Sequence, residues 1–364
     1  MKHFSIALGT RPEIIKLAPI IRRLRDKKVS FTLIHTNQHY DHILDGVFFE
    51  ELDLPPPTHH LHAAAGSHAE MFGKMFPALE KVWMEARPEA VIVQGDTNSS
   101  FAAALIATRL KIPVAHVEAG LRSDDWDMPE EANRVMTDHL ATRLYAPTEE
   151  HAQRLKEEGI PNKKILVTGN TVADAVMEHK DMAKKVSLPQ ALSTYPGTRF
   201  ALLTLHRPAL VDDPKKLRSM LQAIDKLLVA ESMKGLLLTH PRTRKKLGDE
   251  PLLLKALAIE EPVGYFPMLK LFQDAAIVIT DSGGLQEEAA ILQIPCVTVR
   301  ENTERPETLK AGGNRIVGFD RALLKEAVHD FLHGKISWKP LYSIACPSNM
   351  IVDDLLSHFP CASS

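Results

Sequence analysis

The chain has 364 residues, 45% of them apolar and 25% charged, with a formal net charge of −2. At about 100–200 residues per domain this length holds two α/β domains. The composition excludes fibrous, disordered and membrane-embedded classes, and the charge offers no basic field to hold a nucleic-acid backbone. Cys296, Cys346 and Cys361 show no paired spacing and no zinc-type Cys/His cluster, which fits a reducing compartment. The apolar stretch at residues 4–8 is far shorter than a signal-peptide core, and no run reaches the roughly 18 apolar residues of a membrane span. The expectation is a soluble, cytoplasmic protein with neither nucleic acid nor membrane as a partner.

Short apolar runs rich in β-branched residues alternate with amphipathic stretches, the pattern of a parallel sheet covered by helices. Residues 4–8 predict a first strand, and Pro12 then sits where a helix begins, since its missing N–H costs nothing in the first turn. That helix buries Ile14, Leu17, Ile21 and Leu24 at helical spacing and leaves Lys16, Arg22, Arg23 and Arg25 to face water or a ligand. Further strands are predicted at 31–35, 90–93, 114–117 and 165–168. The stretch 180–198 carries Pro189, Pro196 and Gly197 without sustained periodicity, so a hinge is expected within 170–198. A second series follows, with strands at 201–205, 235–239, 277–280, 296–299 and 315–317. The expected fold class is α/β, two Rossmann-like doubly wound parallel-sheet domains facing across a cleft. They span 1–171 and 172–349, with a C-terminal helix at about 350–364 packing back on the first.

Ligands of open α/β sheets bind beyond the carboxyl ends of the strands, so the residues that follow each strand are the candidates. After the first strand comes Gly9-Thr10-Arg11-Pro12-Glu13, where Arg11 and Lys16 can meet a phosphate near a helix N-terminus or simply be surface charges. Gln94-Gly95-Asp96-Thr97 and Glu118-Ala119-Gly120 each put a carboxylate at a strand end. Asp96 reads equally well as a helix cap. Glu118 directly follows a buried strand and requires a partner. Pro129-Glu130-Glu131 opens a helix, and complementing the helix dipole explains acids there, the preferred reading for Glu131.

In the second series His206 and His240 follow strands, where a lone histidine is more often structural than catalytic. Thr280-Asp281-Ser282-Gly283-Gly284 followed by a helix has the form of a phosphate-cradling turn, and Glu288 lies one turn further on, where it can accept from a ribose diol. Glu304-Arg305 adds a cation at the same edge.

Together these segments resemble the UDP-N-acetylglucosamine 2-epimerase family, whose fold is the two-Rossmann-domain arrangement of glycosyltransferase-B enzymes. GTRPEIIKLAPI, TNQHY, QGDTNS, HVEAGLRS, MPEEANRV, APTEEHAQRL, VTGNTVAD, TLHR, ITDSGGLQEEA and RENTERPET occur in the family's order over about residues 5 to 320. TLHRPALVDD is closest to the non-hydrolysing branch. The resemblance implies UDP held by the second domain, with Ser282, Gly283 and Gly284 at the phosphates, Glu288 at the ribose and Arg305 near the nucleotide. Arg11 and Lys16 reach from the first domain, Asp96, Glu118 and Glu130 surround the sugar as the acid/base set, and His206 lies near the pyrophosphate.

The implied reaction eliminates UDP to 2-acetamidoglucal and re-adds it with inversion at carbon 2, requiring no cofactor and no metal, in a homodimer. One departure stands out. The family's Glu-Asn after the His-Arg pair is replaced by Ala209 and Leu210 behind Pro208, which fits a UDP-sugar-binding protein that has lost catalysis. A hydrolysing epimerase and a glycosyltransferase of the same fold also fit these motifs.

Overall fold

Every strand runs parallel to its neighbours, in two sheets. The computed structural model describes residues 2–37, 42–195, 197–248, 251–334, 337–338, 341–342 and 346–359, and for 42–45 the backbone alone. Cys361, Pro196, the Gln38-His39-Tyr40 portion of one motif and the last part of the helix expected at 350–364 lie outside the described residues. Two compact units result, residues 1–175 with 342–364, and residues 176–341.

In unit 1 the strands β1 (His3–Leu8), β2 (Ser30–His35), β3 (His59–His60), β4 (Ala90–Gln94), β5 (Val114–Val117), β6 (Arg143–Ala146) and β7 (Ile165–Val167) lie in the order β3-β2-β1-β4-β5-β6-β7. In unit 2, β8 (Phe200–Thr204), β9 (Lys234–Leu238), β10 (Leu257–Glu260), β11 (Ile277–Thr280), β12 (Cys296–Thr298) and β13 (Asn314–Ile316) lie in the order β10-β9-β8-β11-β12-β13. Strand order reverses between β1 and β4 in one unit and between β8 and β11 in the other. At such a switch point the loops leaving adjacent strands diverge and open a crevice.

The predicted strands are present to within a residue or two at their ends. β3, β6 and β10 are additions to that prediction: β3 has two residues, and Arg143-Leu-Tyr-Ala and Leu257-Ala-Ile-Glu are short and carry a charge at one end. In unit 2 the period of two along each strand divides the core. Ala201, Leu203, Ile277 and Ile279 join one apolar cluster, Phe200, Leu202, Val278 and Cys296 the other, as expected of a sheet covered on both faces. Burial pushes the Cys296 thiol up to about 12, so it is an inert core side chain.

In the helix Arg11–Asp26, Ile14, Leu17, Ile21 and Leu24 are all fully buried. The polar side of that helix differs from the sequence expectation. Lys16 and Arg22 are buried too, Arg22 Nη1 donating to the Leu52 carbonyl at 2.7 Å. Within unit 1 the helix Pro347–His358 packs back on earlier elements. Arg143 grips Asp354 with Nε (2.8 Å) and Nη2 (2.6 Å), the Tyr145 hydroxyl donates to the same carboxylate (2.9 Å), and Arg23 Nε donates to Asn349 Oδ1 (2.8 Å). No helix among the described residues is long and apolar enough to cross a membrane.

Candidate active site

The loops leaving β1, β4 and β5 gather the unit 1 candidates. Gly9 begins the first turn, and a side chain there would place its Cβ 2.0 Å from Thr36 Oγ1 and 2.2 Å from Ser99 Oγ, so only glycine lets the chain pass. Glu13, one turn into the helix, is fully buried. Its carboxyl accepts from the Gly9 N–H (2.9 Å), Thr10 Oγ1 (2.9 Å), Thr97 Oγ1 (2.8 Å) and Ser100 Oγ (2.9 Å), tying the β1 turn to the β4 turn. Burial pushes it up to about 7, although the four donors pull the other way. Arg11 is half-buried, its guanidinium 5.8 Å from the Phe48 ring centroid.

Asp96 is not a helix cap: Thr97 is, its Oγ1 accepting from the Ser100 N–H at 3.0 Å. The Asp96 carboxylate, 28% exposed, is instead ion-paired with Arg134, which is 2% exposed and also pairs with Glu131. Glu118 follows β5 with φ +69°, a left-handed conformation that costs a non-glycine residue about 1–3 kcal/mol and that clusters at functional sites. There its carboxylate meets Lys16, in a buried ion pair, and Gln94 Nε2 at 2.8 Å. The two acids that open the helix Pro129–Leu140 diverge. Glu131 is buried and accepts from the N–H groups of Ser123 (3.0 Å) and Asp124 (3.0 Å), so it holds a loop in place and does more than complement a dipole. Glu130 is half-buried and makes no hydrogen bond or ion pair with the described residues.

His116 and Asp138 support this edge from below. His116, fully buried in β5, lies with Nδ1 2.7 Å from Asp138 Oδ1 and Nε2 2.9 Å from the Gly95 carbonyl. Burial raises the Asp138 carboxyl, but the His116 and Arg122 charges outweigh it and hold Asp138 below the usual range.

In unit 2 the helix Gly283–Leu292 starts beside β11, and Ser282 at its N-cap makes no side-chain cap, which leaves first-turn N–H groups for an anion. A Cβ on Gly283 would lie 2.6 Å from Glu304 Oε1, whereas one on Gly284 would meet nothing within 4 Å. Three arginines converge here. Arg207 Nη2 (3.4 Å) and Arg300 Nη1 (2.8 Å) approach Glu304, and Arg305 Nε lies 2.5 Å from Glu287 Oε1. Burial chiefly draws Arg300 below the ordinary arginine range, against the charge of Glu304. The fully buried Asp281 accepts from the N–H groups of His206 (2.8 Å) and Arg207 (2.8 Å) and lies 3.0 Å from His206 Nδ1. Because a carboxylate only accepts, His206 Nδ1 is the donor in this contact. Glu288 is buried one turn into the helix.

The residues that depart from the family pattern have a structural account. Pro208 opens the short helix Pro208–Val211, where no N–H is needed, and Leu210 is fully buried in the unit 2 core. Asp281, not residues 209–210, fixes the backbone of His206.

The profile of the UDP-N-acetylglucosamine 2-epimerase family matches residues 22–352. The chain belongs to this family. It is therefore an isomerase of the epimerase kind. Among epimerase relatives, the UDP-N-acetylglucosamine 2-epimerase of Methanocaldococcus jannaschii is 47% identical over 342 residues, covering 92% of this chain and 93% of that one. The UDP-2,3-diacetamido-2,3-dideoxy-D-glucuronate 2-epimerase of Pseudomonas aeruginosa is 38% identical, covering 91% and 92%. A crystal structure of the M. jannaschii epimerase in complex with UDP-GlcNAc and UDP superposes with a TM-score of 0.91 at 44% identity, covering 98% of this chain and all of that one. Both units thus have the parallel-sheet α/β form of these epimerases.

Sequence reasoning places its candidates at the strand ends but misses what holds them there. Arg134, Gln94, Asp281, Arg300 and Glu304 stand inside or beside the motifs without a role read from them. Polar residues directly after apolar strands or in the first turn of a helix are the available signal, because such positions bury charge that needs a partner.

Proposed function

We propose that this protein interconverts UDP-N-acetylglucosamine and UDP-N-acetylmannosamine by inverting carbon 2 of the sugar, without hydrolysis. The observation that carries the proposal is the direction in which each unit turns its charges. In unit 1 the buried Arg134 holds Asp96 toward solvent, whereas in unit 2 the buried Asp281 and Glu304 hold His206 and Arg207 toward it. One edge presents carboxylates suited to moving a proton, the other cations suited to a diphosphate.

In the proposed reaction the bond from carbon 1 to the UDP oxygen breaks and its electron pair leaves with UDP. The developing charge acidifies the neighbouring C–H, and a carboxylate among Asp96, Glu118 and Glu130 takes the carbon 2 proton as the double bond of 2-acetamidoglucal forms. The reverse addition returns the UDP oxygen to carbon 1 and a proton to the opposite face of carbon 2, so no water is consumed. Ser282, Gly283, Gly284, Arg305 and His206 take the diphosphate and nucleotide, Glu288 the ribose, and Arg11 a phosphate oxygen. Lys16 is assigned to Glu118, with which it is paired.

Proton NMR of the protein with UDP-N-acetylglucosamine in heavy water tests this. UDP-N-acetylmannosamine deuterated at carbon 2 is the expected product. Free N-acetylmannosamine with UDP would replace the proposal by the hydrolysing reaction. An unchanged spectrum, with turnover instead of the diacetamido-glucuronate that the P. aeruginosa relative's name specifies, would move the substrate.

A further inference from the structure

A histidine pair and a glutamate meet on unit 2 away from the strand-end residues of the candidate active site. His329 and His333 are four apart on the helix Arg321–His333 and so share a face, their ring centroids 4.6 Å apart. Glu231 ends the helix Pro214–Ala230, its own N–H capping that helix by donating to the Leu227 and Val229 carbonyls. His329 Nδ1 lies 3.4 Å from Glu231 Oε1, His333 Nε2 lies 2.6 Å from Oε2, and the three donor atoms all fall within 4.8 Å of one another.

Helices that connect parallel strands run back against them, so their C-terminal ends collect at the amino edge of the sheet. Glu231 lies three positions before the first residue of β9, and His333, 2.6 Å from Glu231, ends the helix that follows β13. The cluster therefore stands at the edge opposite His206 and Gly283, which follow the carboxyl ends of β8 and β11.

Two imidazole nitrogens and one carboxylate oxygen are a ligand set for zinc with a fourth position left to water. Tetrahedral bonds of about 2.0–2.2 Å place donor atoms about 3.4 Å apart. This set reaches that spacing by small rotations of the histidines, whose side chains are 61% and 48% exposed, around a Glu231 side chain that is only 12% exposed. Hydrogen bonding uses the same lone pairs: the proton between each imidazole and the carboxylate is what a metal ion replaces. Hard cations such as magnesium prefer an all-oxygen shell and do not suit two imidazoles.

We propose that His329, His333 and Glu231 form a divalent transition-metal site, fitted to zinc, that clasps the C-terminal ends of two helices of unit 2. Because it lies at the far edge of the sheet, it stabilises the unit and takes no part in the sugar chemistry.

Isothermal titration of the chelator-treated, full-length protein with zinc should show one saturable site per chain, with a melting temperature that rises as zinc is added. The double variant His329→Ala/His333→Ala should fold as before, since both rings are exposed, and bind zinc at least about tenfold more weakly. Glu231→Gln should weaken zinc without removing it, and magnesium should leave the melting temperature unmoved. The chain has 17 histidines, so binding that persists equally in the double variant would place the zinc elsewhere and overturn the assignment. Absence of saturable binding to the parent protein would overturn it as well.

Discussion

The two units put their candidate site residues at the same topological address and bury opposite charges to do so. In unit 1 Arg134 is the inner member and Asp96 the outer one, at 2% and 28% exposure. In unit 2 the order is reversed: Asp281 and Glu304 are sealed, while His206 and Arg207 are 34% and 22% exposed. The inner partner is an anchor whose own hydrogen bonds set the direction of the outer one. Reading which charge is sealed therefore tells which charge is offered, a stronger statement than the presence of an ion pair.

The sharpest way to break this contrast is Glu118→Gln. With Glu118 as part of the acid/base set, turnover should fall by about 10²–10⁴-fold while UDP binding, measured by calorimetry, persists. Unchanged turnover would remove Glu118 from the chemistry and leave its left-handed backbone without a functional reason. The melting temperature should also drop, because the buried ion pair with Lys16 is lost.

Next in size is Arg305→Ala, which should weaken UDP binding by roughly 10–100-fold, one to two decades for a charge-assisted contact. It also removes the Arg305–Glu287 ion pair, so Arg305→Lys, which keeps the charge, separates lost binding from lost fold. UDP binding that survives in a folded alanine variant would deny this edge its role as the anion site.

The smallest expected effect sharpens the comparison within unit 1. Ser100 Oγ has one hydrogen for two acceptors, Glu13 Oε1 at 2.9 Å and the Gln94 carbonyl at 2.6 Å. A protonated Glu13 resolves the competition by donating to Ser100. The folded-state carboxyl titrates at about 7 against an ordinary 4.5. Between those values the folded chain holds a proton that the unfolded chain has released, so stability falls as pH rises through this window, by about 3 kcal/mol in all. Urea denaturation of Glu13→Gln across pH 4.5 to 7.5 should lack that slope. Equal slopes in both proteins would mean that Glu13 stays ionised throughout.

Much of the fold is legible in the sequence because its signals are local. Apolar runs four or five residues long, followed by Gly-Thr-Arg-Pro, Gly-Asp-Thr or Asp-Ser-Gly-Gly, mark where a parallel strand ends and a helix begins. β6 escapes because Arg143 and Tyr145 are there to hold Asp354, more than 200 positions away, so the strand lacks the usual composition. The same distance effect hides the supports of the site. Asp96 reads equally as a cap or a strand-end acid until the fold brings Arg134 beside it from 38 positions on, and nothing in the spacing of either residue announces the other. Lys16 and Arg22 read as facing water or a ligand because helical periodicity locates the apolar stripe, not the carboxylates and carbonyls that neighbouring loops bring to the remaining faces.

The return of the helix Pro347–His358 to unit 1 has a consequence for biosynthesis. Unit 2 is a single stretch of chain and can close its core as soon as it has been made. Unit 1 must wait: Asp354, the partner of Arg143 and Tyr145, is synthesised only after the whole of unit 2. Until then Arg23 lacks Asn349, and Arg143 and Tyr145 lack Asp354, and closing a loop of that length is slow. The nascent chain should thus pass through a stage in which the later-made unit is folded and the earlier-made one is not, the interval in which this protein has most need of a chaperone.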